Sequence, residues 1–319
     1  MPNSFRGFFA VLCACAPLVA GAQSFPSKAV HIIVPNSPGG AMDILANLYA
    51  AHLRPIWNQP VVIEYKPGAN NIVGTDYTAK AEPDGYTMCV VAGPHSINAA
   101  ARKLPYDTLK DLAGITLVGT TPLMIAATPG LPASTVAEVV ALAKQPGSRM
   151  NYATAGAGSG MHLAGEMIKL QTGAQMQHVA FKGAGPAYPE VMSGRVELLI
   201  DPMFSTMPYV KSGKLKAIAI TSQKRAPEAP EIPTVAEFLP GFNFVSVNGM
   251  VLPARTPRAI VNRINADFVK ILGMPDVKAR LAELGITPVG NSPEEYDAII
   301  RSEIARWSKL IKEAGITLE

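Results

Sequence analysis

Hydrophobic positions in this chain fall into two alternating kinds of run. Short β-branched stretches, Val30–Val34, Val61–Tyr65 and 86–91, are continuous enough to be strands covered on both faces. Between them, 41–53 and the stretch up to Lys80 space their apolar residues at helical intervals, and Pro67-Gly68 and Pro83-Asp84-Gly85 supply the turns. The first two strands start about 31 residues apart, the length of one strand-helix-strand unit, so these units predict a mainly parallel sheet flanked by helices. A second series follows, with strands at 124–127, 151–153, 177–180 and 198–200 and helices at 135–144 and 161–171. Thr135 and Glu138 have the spacing of a capping box.

The segment 225–240 is rich in proline and acids and reads as a surface loop with one helical turn, before a strand at 244–252. Three helices then open at Pro257, at Pro275 and at Ser292-Pro293-Glu294-Glu295, the last running to Gly315. Such a helical ending cannot easily build a third lobe and is expected to pack back on the first, with connections near 120 and 245. The expected architecture is α/β and two-lobed, with two hinge crossings. Residues 1–22 form a signal peptide, 23–121 the first part of lobe one, 122–244 lobe two, and 245–319 the second part of lobe one. Clefts between such lobes favour ligands.

The signal peptide rests on Arg6, the apolar run from Gly7 to Ala20, and the small residues Ala20-Gly21-Ala22. The run is shorter than the roughly 20 residues that cross a bilayer, and Leu12-Cys13-Ala14-Cys15 matches a lipid-attachment box only faintly. The placement implies the periplasm. Cleavage removes Arg6 and no acid, leaving a net charge near +3, which points to neither nucleic acid nor a strong membrane-surface field. Of three cysteines, only Cys89 remains, in an apolar run where it reads as a small buried hydrophobe.

Candidate chemistry sits where strands end. Asn36, Ser37, Gly39, Gly40, Ala41 and Asp43 lie between a strand and a helix start, where uncapped N–H groups and the helix dipole favour an anion. Ala155, Gly156, Ala157, Gly158 and Ser159 occupy the same place in the second series. A dinucleotide fingerprint there fails, because Met161 stands where the third glycine belongs and no acid follows the next strand. Ser159 and His162 suggest a hydrolase, but no G-x-S-x-G elbow can be drawn. His162 and Glu166 are one turn apart and could share a metal, but no H-E-x-x-H occurs. His95 and Ser96 follow a strand in the loop Gly93-Pro94-His95-Ser96; Lys182 is a candidate for attracting a carboxylate, and Asp201 for accepting a ligand hydroxyl, ammonium or water. Polar loops from both lobes converge with no nucleophile–base pair, so binding without catalysis, cofactor or metal is expected.

From about Pro26 onward the chain resembles the extracytoplasmic solute receptors of tripartite tricarboxylate transporters, also called Bug proteins. The ordered motifs are Pro26-Ser27-Lys28, Val34-Pro35 through Asp43, Pro60-Val61-Val62, Lys66-Pro67-Gly68-Ala69 and Pro83-Asp84-Gly85-Tyr86-Thr87. Ala155 through Gly160 with His162-Leu163-Ala164-Gly165-Glu166, Phe181-Lys182-Gly183, Pro233-Thr234-Val235-Ala236-Glu237, Pro240-Gly241-Phe242 and Pro293-Glu294-Glu295-Tyr296 continue the set. The resemblance implies a Venus-flytrap receptor that holds a small organic carboxylate on backbone amides of the two glycine-rich loops, aided by waters. Ligand contact carries over to Ser37, Gly39, Gly40, Ala41, Ala155 to Ser159 and Asp201. A separate membrane permease is the implied partner, the working unit is expected to be a monomer, and a membrane signalling partner is the alternative. Asn36-Ser37 and His95 depart from the usual pattern of an aromatic then a small residue, and of a small hydroxyl residue, so no particular ligand carries over.

Overall fold

The computed structural model describes residues 25–38, 41–181 and 183–316. The expected signal peptide lies outside them, and no helix among the described residues is long and apolar enough to cross a membrane.

The first half contains β1 (Val30–Val34), α1 (Ala41–Trp57), β2 (Val61–Tyr65), α2 (Ile72–Ala79), β3 (Thr87–Val91) and α3 (Pro94–Ala101). The long strand β4 (Leu112–Ala127) leads into α4 (Val136–Ala143), β5 (Asn151–Thr154), α5 (Gly160–Thr172), β6 (Gln177–Ala180), α6 (Ala187–Met192), β7 (Leu198–Pro202), α7 (Met203–Lys211) and β8 (Lys216–Ile220). The chain returns through β9 (Val245–Pro253) and closes with α8 (Arg258–Leu272), α9 (Pro275–Glu283), β10 (Thr287–Pro288) and α10 (Pro293–Glu313). The Thr135–Glu138 and Ser292–Glu295 capping boxes both form. Helix α1 runs past the expected end at 53 and carries Pro55 within its final turn.

The sheet order is β2-β1-β3-β9-β4-β7-β5-β6, with β8 and β10 also paired to β4. Strands β1, β2 and β3 are parallel, as are β5, β6 and β7, but β4 and β9 run antiparallel to their neighbours. Register then fixes where the two parallel sets point. The carboxyl end of β3, Val91, pairs with Gly249, which faces Leu117 of β4. The carboxyl end of β7, Pro202, pairs with Leu123 of β4. Both sets therefore aim their carboxyl ends at the middle of the shared strand from opposite sides, and the loops after β1, β3 and β5 face one another across it. Expected boundaries at 121/122 and 244/245 fall inside β4 and at the start of β9.

Each half buries a core on both faces of its sheet. Ile32, Val34, Tyr49, Leu53, Met88, Phe268 and Ile271 pack on one face of the first half, and Ile33, Cys89, Val91, Tyr296 and Ile300 on the other. In the second half Tyr152, Leu163, Leu198 and Ile200 oppose Met124, Ala153, Tyr188 and Ile220. Helix α10 belongs to both halves: Tyr296 and Ile300 enter the first core, whereas Trp307 and Leu310 enter the second. It sits flush on the crossing strands because Gly114 and Gly249 have no Cβ, which would overlap the Tyr296 side chain.

Candidate functional site

The β5–α5 junction is the most completely built of the facing loops. Gly158 has φ 71, a left-handed conformation that glycine adopts without strain. Ser159 is the N-cap of α5: its Oγ accepts the N–H of His162 at 3.2 Å and donates to the carbonyl of Gly156 at 2.7 Å. Thr154 Oγ1 also donates to the Gly156 carbonyl, at 3.2 Å, and the Gly183 N–H bonds the Ala155 carbonyl at 3.0 Å. The Gly158 N–H donates to Nδ1 of His162 at 3.1 Å. Among the described residues no acceptor takes the N–H of Ala157, Gly160 or Met161, so the start of this 13-residue helix keeps free donors in a field that favours negative charge.

Around this loop lies a polar cluster in which only His162 and Glu166 were singled out by the sequence. The rings of His162 and His178 stack with centroids 3.8 Å apart and planes 11° from parallel. Nε2 of His178 is 2.7 Å from Thr154 Oγ1. Glu166 Oε1 accepts from Tyr152 Oη at 2.6 Å and from Lys169 Nζ at 2.7 Å, and lies 3.9 Å from His162 Nε2. Burial lowers the pKa of both histidines, that of His178 to about 4, and raises that of Tyr152. His178 is out of sequence reach, since only the register Tyr152↔His178 brings it beside the loop. Ser159 and His162 are not a nucleophile and its base: the hydroxyl donates to a carbonyl, and His162 Nδ1 accepts from a backbone amide. Among the described residues no three His, Cys, Asp or Glu side chains are grouped to hold a metal.

In the facing β1–α1 junction Asn36 is half-buried and Ser37 exposed, while Gly39, Gly40 and the side chain of Ala41 lie outside the described residues. Pro35 is pinned by α2, whose Gly74 lets the proline approach closer than any Cβ would permit. Asp43, a candidate for the ligand, is already engaged: its Oδ1 accepts from Tyr65 Oη at 2.7 Å and Asn47 Nδ2 at 2.6 Å. It braces the first turn of α1 against strand β2.

His95 and Ser96 depart from expectation. Instead of a loop, Pro94 opens helix α3, and both residues are buried. The His95 ring lines a small cavity with Thr108, Leu112, Val251, Asp297 and Arg301, on the α10 side. Among the described residues neither of its nitrogens has a hydrogen-bond partner, and burial lowers its pKa to about 4. Ser96 Oγ donates to the Gly93 carbonyl at 3.3 Å. Asp201 lies one residue before the end of β7 and is 2% exposed. Its Oδ2 accepts from Tyr188 Oη at 2.8 Å, and burial raises its pKa to about 6. Lys182 lies outside the described residues.

Known proteins resemble this chain in sequence and fold. A family model described as "Tripartite tricarboxylate transporter family receptor" matches residues 45–316. Protein BugT of Bordetella pertussis is 32% identical over 316 residues, covering 98% of this chain and 96% of BugT. The structure of R. palustris Rpa4515 with adipate is 32% identical, covers 92% of this chain and 99% of its own, and superposes with a TM-score of 0.80. MatC from Rhodopseudomonas palustris with bound malate is 30% identical, covers 90% of this chain and all of its own, and gives a TM-score of 0.76. The two-lobed α/β fold is that of the periplasmic binding proteins, and the chain belongs to the tripartite tricarboxylate transporter receptor family.

Proposed function

We propose that this protein is an exported periplasmic receptor, working as a monomer, that binds one small organic carboxylate between its lobes. It releases the acid unchanged to the membrane permease of a tripartite transporter. The observation that carries the reading is the set of amides at Ala157, Gly160 and Met161 that no acceptor takes among the described residues, in a loop on the side of the shared strand facing the β1–α1 junction. Neutral donors suit a carboxylate because each charge-assisted hydrogen bond is worth about 1.5–3 kcal/mol once water is excluded. Adipate in Rpa4515 and malate in MatC make a dicarboxylate the first class to offer. A hydrolytic role lacks support, since the hydroxyl of Ser159 and the ring of His162 are committed to holding the loop.

Bound anion joins the two lobes, so closure is favoured by the ligand's extra contacts in the closed state. Isothermal titration of ligand-free protein with adipate, malate and a wider acid panel is expected to find one site per chain for at least one acid. Mass spectrometry of the recovered acid should show no product. Silence across the panel, or turnover, would overturn the reading.

A further inference from the structure

We propose that the stacked pair His162–His178 is a positioning device which selects the amides of the β5–α5 loop that are offered to the ligand. The inference rests on the carboxylate reading only for what the loop holds. The loop's two ends are tied to the two rings. Gly158 donates its N–H to Nδ1 of His162 at 3.1 Å, and Gly156 is bonded through both its N–H and its carbonyl to Thr154 Oγ1, which lies 2.7 Å from His178 Nε2. Ring stacking at 3.8 Å fixes the two ties relative to each other. Apart from Ser159, whose hydroxyl holds the Gly156 carbonyl, the loop is glycine and alanine, and the rings add ties that such small side chains cannot make.

Acceptance at Nδ1 requires the proton of neutral His162 to sit on Nε2. That nitrogen faces the Glu166 carboxylate at 3.9 Å, which Tyr152 and Lys169 hold in place. The carboxylate thus favours the Nε2–H tautomer from behind. Burial keeps both rings below their ordinary pKa, so Nδ1 remains an acceptor at neutral pH. With the Gly158 amide turned inward, those of Ala157, Gly160 and Met161 remain for an anion.

Two substitutions separate acceptor from ring. His162→Phe keeps an aromatic plane against His178 but has no acceptor, whereas His162→Asn puts an oxygen near the Nδ1 position and deletes the ring. Amide hydrogen exchange over 155–160 in ligand-free protein should rise about tenfold or more in H162F, with adipate or malate affinity falling by a similar factor, as expected when a buried donor loses its partner. H162N, which keeps the acceptor and loses the stack, should loosen both by only about threefold. Unchanged exchange in H162F, or equal loosening in both variants, would overturn the proposal. If wild type binds no carboxylate while H162F still frees the loop, the carboxylate reading falls and the positioning role stands. Should H162F fail to fold, Thr154→Val, which cuts His178 from Gly156, is read by the same exchange and in the same sense.

Discussion

Two strand-to-helix junctions carry a histidine in the first helical turn, and the molecule uses them in opposite ways. After β3, Gly93 is the N-cap, Pro94 the first helical residue, and His95 the second. After β5, Ser159 is the N-cap and His162 occupies the third helical position. One position is about 100° of rotation around a helix. The earlier phase buries His95 in the α3–α10 packing, with both nitrogens unpartnered among the described residues; the later phase folds His162 back over its own loop, where Nδ1 takes the amide of Gly158. Residue type and neighbourhood are alike, and helix phase decides which ring packs against α10 and which holds its own loop.

The comparison breaks most sharply on pH. His95 has a folded pKa of about 4 against an ordinary 6.5, so between those values the unfolded chain binds more protons. Stability from this residue is present above pH 6.5 and is lost as pH falls to 4, by about 3 kcal/mol in all. Phenylalanine at 95 removes that proton uptake. Urea melts of His95→Phe and wild type should diverge progressively on acidification, the variant gaining, while carboxylate affinity at pH 7.5 stays unchanged. A constant gap across pH would mean that the ring is hydrated in solution, and a loss of affinity would return His95 to the cleft. Part of the acid slope should survive in the variant, because His178 is also held at about 4.

A smaller effect is expected at Gly165, one turn along α5 from Met161. A Cβ there would fall on the ring of Tyr152, which is fully buried and donates to Glu166. Gly165→Ala should cost about 2 kcal/mol in denaturant unfolding, the usual price of overpacking a stiff core. By moving Tyr152 it should also disturb Glu166, so hydrogen exchange over 155–160 should rise although no residue of the loop is substituted. Gly249→Ala, which meets Tyr296 in the other half, should destabilise comparably and leave that loop's local exchange as it was.

The alternation of strand and helix was readable in the sequence, together with the capping boxes at Thr135–Glu138 and Ser292–Glu295, because those depend on local spacing. Long-range partners stayed hidden. Strand β4 was legible only at 124–127, since Gly114, Gly119 and Pro122 are poor strand formers; the first two are there to admit Tyr296 and the β10 backbone, and the strand is bulged at both. Strand β8 follows the Gly213 turn and is stabilised by β4, a contact some 90 residues away in sequence. Helix α3 was read as a loop because Pro-His-Ser resembles a turn until its first-turn proline is recognised. Within the site, the glycine-rich loops were visible, whereas Tyr152 enters through its bond to Glu166 of α5 and His178 only through the β5–β6 register.

The mildest change is also the most discriminating. Thr135 and Ser159 are both N-caps whose hydroxyl accepts the amide three residues on, and alanine at either should cost about 1 kcal/mol of stability. Thr135 shares its work with Glu138, whose carboxylate reaches back to the N–H groups of Ser134 and Thr135. Ser159 has no such box; its hydroxyl donates to the Gly156 carbonyl instead and so shapes the loop as well as capping the helix. Thr135→Ala and Ser159→Ala should therefore melt alike, yet only the second should weaken carboxylate binding in calorimetry, with faster exchange at 155–158. Were both variants to bind as tightly as wild type, loop geometry would be carried by His162 and Thr154 without the cap, and were both to bind weakly, the lobe as a whole would be answering to stability.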